Sequence, residues 1–245
     1  MKYLKPLCYV LFAYFLLKAP NTHYKILRNY VATRTVTLTF TDTKKYGGGT
    51  GVQVALPHGG NAILTNGHVC ALKDDHNEIL VVSPLLAHPM NRRVISIANF
   101  TDLCLIEGIP GLPGLSLGEQ SEPGDIVAVV GHPFLMPTTM NRGEIIGEGE
   151  VDVGDYEINT PEDEANCNQP KNKILTIEGF FGSVKVCVLH LNAIHTTAVI
   201  FPGNSGSGVV DARGRIIGLA FAGNGRTNWG LLITLEDIKQ FLYSY

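Results

Sequence analysis

Residues 35–41 read Thr-Val-Thr-Leu-Thr-Phe-Thr. Side chains of a strand point to opposite faces with a period of two, so Val36, Leu38 and Phe40 share one face and the threonines the other. The same grammar runs downstream. Gly47 to Gly51 reads as a turn, Val52 to Ala55 as a second strand, Pro57 to Gly60 as a hairpin and Ala62 to Thr65 as a third strand. Further strands are expected at Ile79–Val82, Arg93–Ala98, Leu103–Glu107, Ile126–Val130, Gly143–Ile146, Ile174–Ile177, Val184–Leu191, Gly208–Val210, Ile216–Phe221 and Gly230–Ile233. So many short strands at close spacing, in a chain of 245 residues with 27 glycines, point to barrels or a sandwich within one all-β domain.

One helix is expected, at the end. Thr234 caps a first turn containing Asp237, and Leu235, Ile238, Phe241 and Leu242 fall on one face of a helix over 235–243. The segment from Asp152 to Lys173, rich in Asp, Glu, Asn and Pro, is expected to be a long surface loop. No internal repeat or low-complexity tract occurs.

The first twenty residues differ in character from the rest. Lys2 and Lys5 precede an uncharged apolar run from Leu7 to Leu17, closed by Lys18, the layout of an export signal. The run is short for a membrane span, which takes about 20 apolar residues. Pro20 follows Ala19 and hinders cleavage there, so a cleaved signal peptide and an uncleaved short anchor over 1–20 both stand, with a buried N-terminal helix as the third reading. Either export reading puts the domain outside the cytoplasm, as a secreted, periplasmic or membrane-anchored protein. Of five cysteines, Cys8 lies in this leader; Cys70, Cys104, Cys167 and Cys187 are compatible with two disulfides of unspecified pairing or with small apolar core residues.

Charge narrows the partners. The chain has 19 Lys and Arg against 22 Asp and Glu, so it lacks the basic stripe that nucleic acid demands. No metal-ligand spacing or nucleotide loop appears, and no cofactor is expected.

Three short blocks carry chemistry. Leu64-Thr65-Asn66-Gly67-His68 delivers a His where a strand runs out, Thr101-Asp102-Leu103-Cys104-Leu105-Ile106 places an Asp at the mouth of a strand, and Pro202-Gly203-Asn204-Ser205-Gly206-Ser207-Gly208 is a glycine-rich turn presenting a Ser. Amide hydrolysis needs a nucleophile, a base that takes its proton and hands it to the leaving amine, and a group that fixes the tautomer of the base. Ser205, His68 and Asp102 supply one of each. A turn without a side chain at Gly203 can aim the N–H groups of Gly203 and Ser205 at one point, as an oxyanion hole. Singly, each block is more often structural; the joint occurrence in the order His, Asp, Ser favours catalysis.

Together with Gly49-Thr50-Gly51-Val52, Ile63 to Val69, and Gly124-Asp125 through Gly131-His132-Pro133-Phe134, these blocks resemble successive signatures of Deg-type (HtrA-like) serine peptidases within the trypsin-like superfamily. The resemblance implies the chymotrypsin fold: two packed six-stranded antiparallel β-barrels, here about residues 30–118 and 119–233 of a peptidase domain spanning 30–245. The first barrel then supplies His68 and Asp102 and the second Ser205. It implies a serine endopeptidase acting on proteins or peptides and, by analogy, an oligomer. A catalytically latent scaffold that binds proteins is the competing reading.

The chain departs from that pattern in places. Gly206-Ser207-Gly208 stands where the family has Gly-Gly-Pro and resembles the Gly-Ser pair of glutamyl endopeptidases. Those enzymes place a His at the position of Ala220, so glutamate preference is not expected. After the terminal helix the sequence leaves no room for a PDZ domain. The alignment puts Val199 at the base of the specificity pocket and Ala220 and Gly230 on its walls, which implies a small or medium apolar residue before the scissile bond. His195 and His132 are read as ordinary hydrogen-bonded histidines, His195 with a pocket role as its alternative.

Overall fold

The computed structural model describes residues 22–40, 47–71, 73–98, 101–167, 172–179, 182–224 and 229–245. The leader and Thr41 lie outside these residues, whereas Gly48–Gly51, expected as part of a turn, are extended and begin the second strand, paired with Val36–Thr39 of the first. Residues 22–32 form a helix, α1. Six strands follow: β1 (Thr35–Thr39), β2 (Gly48–Ala55), β3 (Asn61–Asn66), β4 (Glu78–Val82), β5 (Met90–Ala98) and β6 (Leu103–Glu107), with a single helical turn α2 (Gly67–Cys70) after β3. They close into a barrel in the order β1-β2-β3-β6-β5-β4.

The second half contains β7 (Ile126–Gly131), β8 (Thr139–Glu157), helix α3 (Pro161–Cys167), β9 (Asn172–Gly179), β10 (Gly182–Thr196), β11 (Gly208–Val210), β12 (Ile216–Asn224) and β13 (Trp229–Thr234). Their order is β13-β12-β11-β7-β8-β10-β9. β10 also pairs with β13 through Ala193–Thr196, which closes six of the strands into a ring and leaves β9 attached outside it. All ladders are antiparallel. The expected all-β architecture of two barrels with a terminal helix is what the chain adopts. That helix, α4 (Leu235–Tyr243), has Thr234 at its N-cap accepting from the Asp237 N–H, and it buries Leu235, Ile238, Phe241 and Leu242.

Alternation explains why the barrels stick together. On β6, Cys104 and Ile106 fill the first barrel, whereas Leu103 and Leu105 face outward into a second cluster with Val130, Val210, Ile216, Leu219 and Phe241. β7 divides in the same way, with Val127 and Val129 inside the second barrel and Ala128 and Val130 in the shared seam. A strand buried on both faces reads as a continuous apolar run, as Leu103-Cys104-Leu105-Ile106 does.

Two further sequence expectations fail here. The acidic stretch is not a loop: β8 runs on to Glu157, α3 follows, and β9 begins at Asn172. Along β8 the carboxylates Glu148, Glu150 and Asp152 alternate with Gly147, Gly149, Val151 and Val153, and the two valines pack on the seam cluster. The charge belongs to the solvent face of a strand. Asp152 is hydrogen-bonded to His190 at 2.6 Å, which holds its carboxyl below the usual range, with Lys173 adding to the effect. Nor is the terminal helix the only one, since α1 packs against the second barrel through the Tyr24 hydroxyl, which donates to the Met140 carbonyl at 3.1 Å.

Leu105 is fully buried in the seam. Leu105→Ala is expected to lose about 2–5 kcal/mol of unfolding free energy. Urea titration followed by tryptophan fluorescence and circular dichroism measures it.

Candidate active site

His68 sits in the single turn α2, directly after β3, and Asp102 lies one residue before β6. β3 and β6 are paired neighbours, with Asn66 opposite Leu103, so the two residues meet at the same barrel rim. Asp102 has φ 50°, a left-handed conformation that Asp tolerates better than most residues. Its backbone carbonyl accepts from Gly67 N–H at 2.9 Å and from the Asn66 side-chain amide at 3.2 Å. Its carboxylate is engaged twice by His68: Oδ1 accepts the backbone N–H and Oδ2 lies on Nδ1, each at 2.8 Å. A donor at Nδ1 fixes the tautomer and leaves Nε2 as the basic nitrogen. The carboxylate side chain is 11% exposed and the imidazole 46%, so the carboxylate is shielded while the ring reaches the surface.

A covalent tie reinforces this corner. Cys70 and Cys104, each two residues beyond its neighbour in the pair, are joined by a disulfide, and Cys167 is joined to Cys187, linking α3 to β10. The core-thiol alternative for Cys104 and Cys187 is thereby set aside, although all four cysteines are buried.

Ser205 lies on the turn between β10 and β11 and is docked onto the first barrel through Thr50. The Thr50 N–H donates to the Ser205 carbonyl and its hydroxyl to the Gly203 carbonyl, both at 2.8 Å; the same hydroxyl accepts the His132 N–H at 3.0 Å. Thr65 donates to the Thr50 carbonyl at 2.7 Å. One point beside Gly49, where a Cβ would stand, lies 2.6 Å from Val69 Cγ2 and 3.0 Å from the Ser205 carbonyl oxygen, so the serine turn abuts the residue next to His68. The Ser205 hydroxyl itself is turned to the Phe221 carbonyl at 3.4 Å. That is a long contact for two oxygens, which hydrogen-bond best near ~2.8 Å.

Gly203 has φ 90°, and a side chain there would run into the His132 carbonyl oxygen at 2.6 Å and the Phe134 nitrogen at 2.7 Å. The carbonyl of Pro202 accepts from Phe134 N–H at 2.7 Å. In a trans peptide the C=O and the following N–H point in opposite directions, so this bond turns the Gly203 N–H away from the 132–136 turn. Among the described residues neither that N–H nor the one of Ser205 is spent on a hydrogen bond. Beneath the turn, the buried Asn204 Oδ1 and Ser207 Oγ converge on Gly131, where any Cβ would displace them.

The remaining candidates are placed less uniformly. Val199 is half-buried and its carbonyl accepts from Asn141. Ala220 is fully buried in the second barrel's core, and its carbonyl accepts the Gly206 N–H. A Cβ at Gly230 would lie 2.6 Å from the Ala198 carbonyl oxygen and 2.7 Å from Ile200 Cδ1. Ile200, which no sequence motif marks, is therefore the side chain seated against Gly230, and it packs on the cluster that holds Ala220. His195 is half-buried, with its ring edge-on to Trp229 at 6.1 Å. Thr50 and the Phe221 carbonyl carry no sequence signal of their part in the site: Thr50 is one small polar residue within Gly49-Thr50-Gly51-Val52, and a backbone carbonyl leaves no trace in side-chain chemistry.

The sequence matches the family profile of the trypsin-like peptidase domain over residues 49–219. More than half of the chain is covered, and the protein belongs to that family, a class of serine endopeptidases. No curated protein matches the sequence. Among solved structures it is similar to the active form of the Rv3671c protease from M. tuberculosis (TM-score 0.65, 18% identity, 89% of this chain and 82% of that one). It is similar also to the HtrA-type protease AlgW with a tripeptide (TM-score 0.65, 22% identity, 90% and 62%). A serine endoprotease from Yersinia pestis matches with TM-score 0.62 and 19% identity over 90% of this chain and 65% of that one.

Two expectations follow for stability. Thr50→Val leaves the Gly203 carbonyl and the His132 N–H without their partner and should cost about 1–3 kcal/mol, read by chemical denaturation. Burial lowers the His132 pKa below 6.5, against the opposing hydrogen bonds to the backbone of Met136 and of Thr35. The unfolded chain then binds the extra proton first, so stability is complete above that pH and falls as acid approaches the folded value. Melting temperatures from pH 7 down to 5 should decline less steeply in His132→Asn than in the wild type.

Proposed function

We propose that the protein hydrolyses peptide bonds with Ser205 as nucleophile, His68 as general base and Asp102 as the group that orients and stabilises the imidazole. The observation that carries this reading is the double engagement of Asp102 by His68, side chain to side chain and backbone to side chain, at the rim where the serine turn docks. On this reading the Ser205 hydroxyl leaves the Phe221 carbonyl, gives its proton to Nε2 and attacks the scissile carbonyl carbon. The oxygen of the tetrahedral intermediate becomes negative and is received by the N–H groups of Gly203 and Ser205. Nε2 then returns the proton to the leaving amine, and water repeats the sequence on the acyl-enzyme.

Substrates are proteins or peptides. Ile200 against Gly230, together with the valine at 199, supports a shallow apolar pocket and a small or medium apolar residue before the cleaved bond. Two disulfides support an oxidising, extracytoplasmic setting, which agrees with the export character of the leader. One observation fits the latent-scaffold reading, namely the rest of Ser205 Oγ on Phe221 rather than on His68.

Labelling with a fluorophosphonate probe separates the two. The wild type is expected to label and Ser205→Ala not to; a wild type that stays unlabelled identifies a scaffold, and labelling that survives in the variant refutes the nucleophile. His68→Ala is expected to lower kcat by about four orders of magnitude or more in a peptide-cleavage assay, as loss of a base acting jointly with its nucleophile does.

A further inference from the structure

A buried imidazole next to the nucleophile turn plays no part in these steps. His132 follows β7 and is 5% exposed. Its ring Nδ1 lies 3.0 Å from the Met136 carbonyl oxygen and its Nε2 3.3 Å from the Thr138 hydroxyl. One neutral tautomer satisfies both contacts, with N–H at Nδ1 donating to the carbonyl and the Nε2 lone pair accepting from the threonine. The ring thereby closes residues 132–138 upon themselves.

That turn needs a brace. Phe134 and Leu135 hold φ 53° and 58°, a region where bulky side chains sit under strain. The backbone contributes two bonds, Leu135 N–H to the His132 carbonyl at 3.0 Å and Met136 N–H to the Pro133 carbonyl at 2.9 Å. The strained conformation has one visible product: it presents Phe134 N–H to the Pro202 carbonyl, the bond that sets the direction of the Gly203 N–H. A packing of the Phe134 ring on Phe201, centroids 5.9 Å apart, adds little shielding, since both rings are substantially exposed.

We propose that His132 is a positioning residue of the oxyanion hole: its imidazole braces the 132–138 turn, so that Phe134 holds the Pro202 carbonyl and the Gly203 N–H stays aimed at the developing oxyanion. The inference rests on the catalytic reading of Ser205 and Gly203 given above. The ring touches no reacting atom and acts through the turn.

Steady-state kinetics on a peptide substrate, with the Ki of a peptide aldehyde, tests this in the full chain. Outright loss of an oxyanion donor costs roughly a hundredfold to a thousandfold, so a loosened donor in His132→Leu should lower kcat by about tenfold to a hundredfold with KM little changed. The aldehyde Ki should rise in parallel, because its hemiacetal oxygen uses the same N–H groups. His132→Asn keeps an N–H donor near the place of Nδ1 and should recover most of the loss. Unchanged kcat and Ki in His132→Leu overturn the proposal, as does an equal loss in the Asn variant. If the Leu variant does not fold, Thr138→Val removes only the Nε2 partner; a parallel fall in kcat and rise in Ki supports the brace, and unaltered values overturn it. A wild type that neither labels nor cleaves defeats the catalytic reading itself, whereas a wild type that works beside an unaffected His132→Leu defeats this inference alone.

Discussion

Everything at the candidate site hangs on how two separately closed barrels are held in register, and Thr50 is where that register is set. A single residue of β2 donates its amide to Ser205, donates its hydroxyl to Gly203, accepts from His132 and is itself held by Thr65. A peptide unit and one hydroxyl thus engage the serine turn at two carbonyls. Rotation of one barrel against the other breaks these bonds together. The apolar seam of Leu103, Leu105, Val130 and Ile216 supplies adhesion over a wide area, but apolar contact is non-directional and does not specify ångström-scale alignment. Directed hydrogen bonds do.

The two halves of the site are stiff for different reasons. His68 and Asp102 belong to neighbouring strands of one barrel, share two hydrogen bonds and are bridged by a disulfide just behind them. Ser205 instead occupies a turn whose shape comes from glycines and from borrowed partners: Gly203 and Gly206 in left-handed conformations, Pro202 held by Phe134, and Gly206 held by Ala220. The first half is rigid by internal bonding and the second by docking.

What could be read from the chain alone follows the range of the interactions. Strict alternation at 35–41 and the run Leu103-Cys104-Leu105-Ile106 announced strands because strand character is local. The N-cap at Thr234 was legible for the same reason. β8 is only partly legible because its carboxylates have the look of a charge run, whereas their spacing with Val151 and Val153 is that of a strand with one wet face. Cysteine partners, the role of Thr50, the Phe221 carbonyl and Ile200 depend on pairings between residues far apart in the chain, which no window of sequence contains. The blocks around His68, Asp102 and Ser205 were legible as types of residue in an order; their contacts were not.

The position of the Cys70–Cys104 bridge bears on the order of assembly. All of β1 to β6, with both bridged cysteines and the His68–Asp102 pair, lies within residues 35–107, so a chain emerging from its N-terminus can complete that barrel about a hundred residues before Ser205 exists. On the catalytic reading, the proton acceptor is tethered in place while the nucleophile is still unsynthesised. The nascent polypeptide is in that case chemically harmless to itself and its neighbours until the last strands close, and competence arrives as the final event of folding.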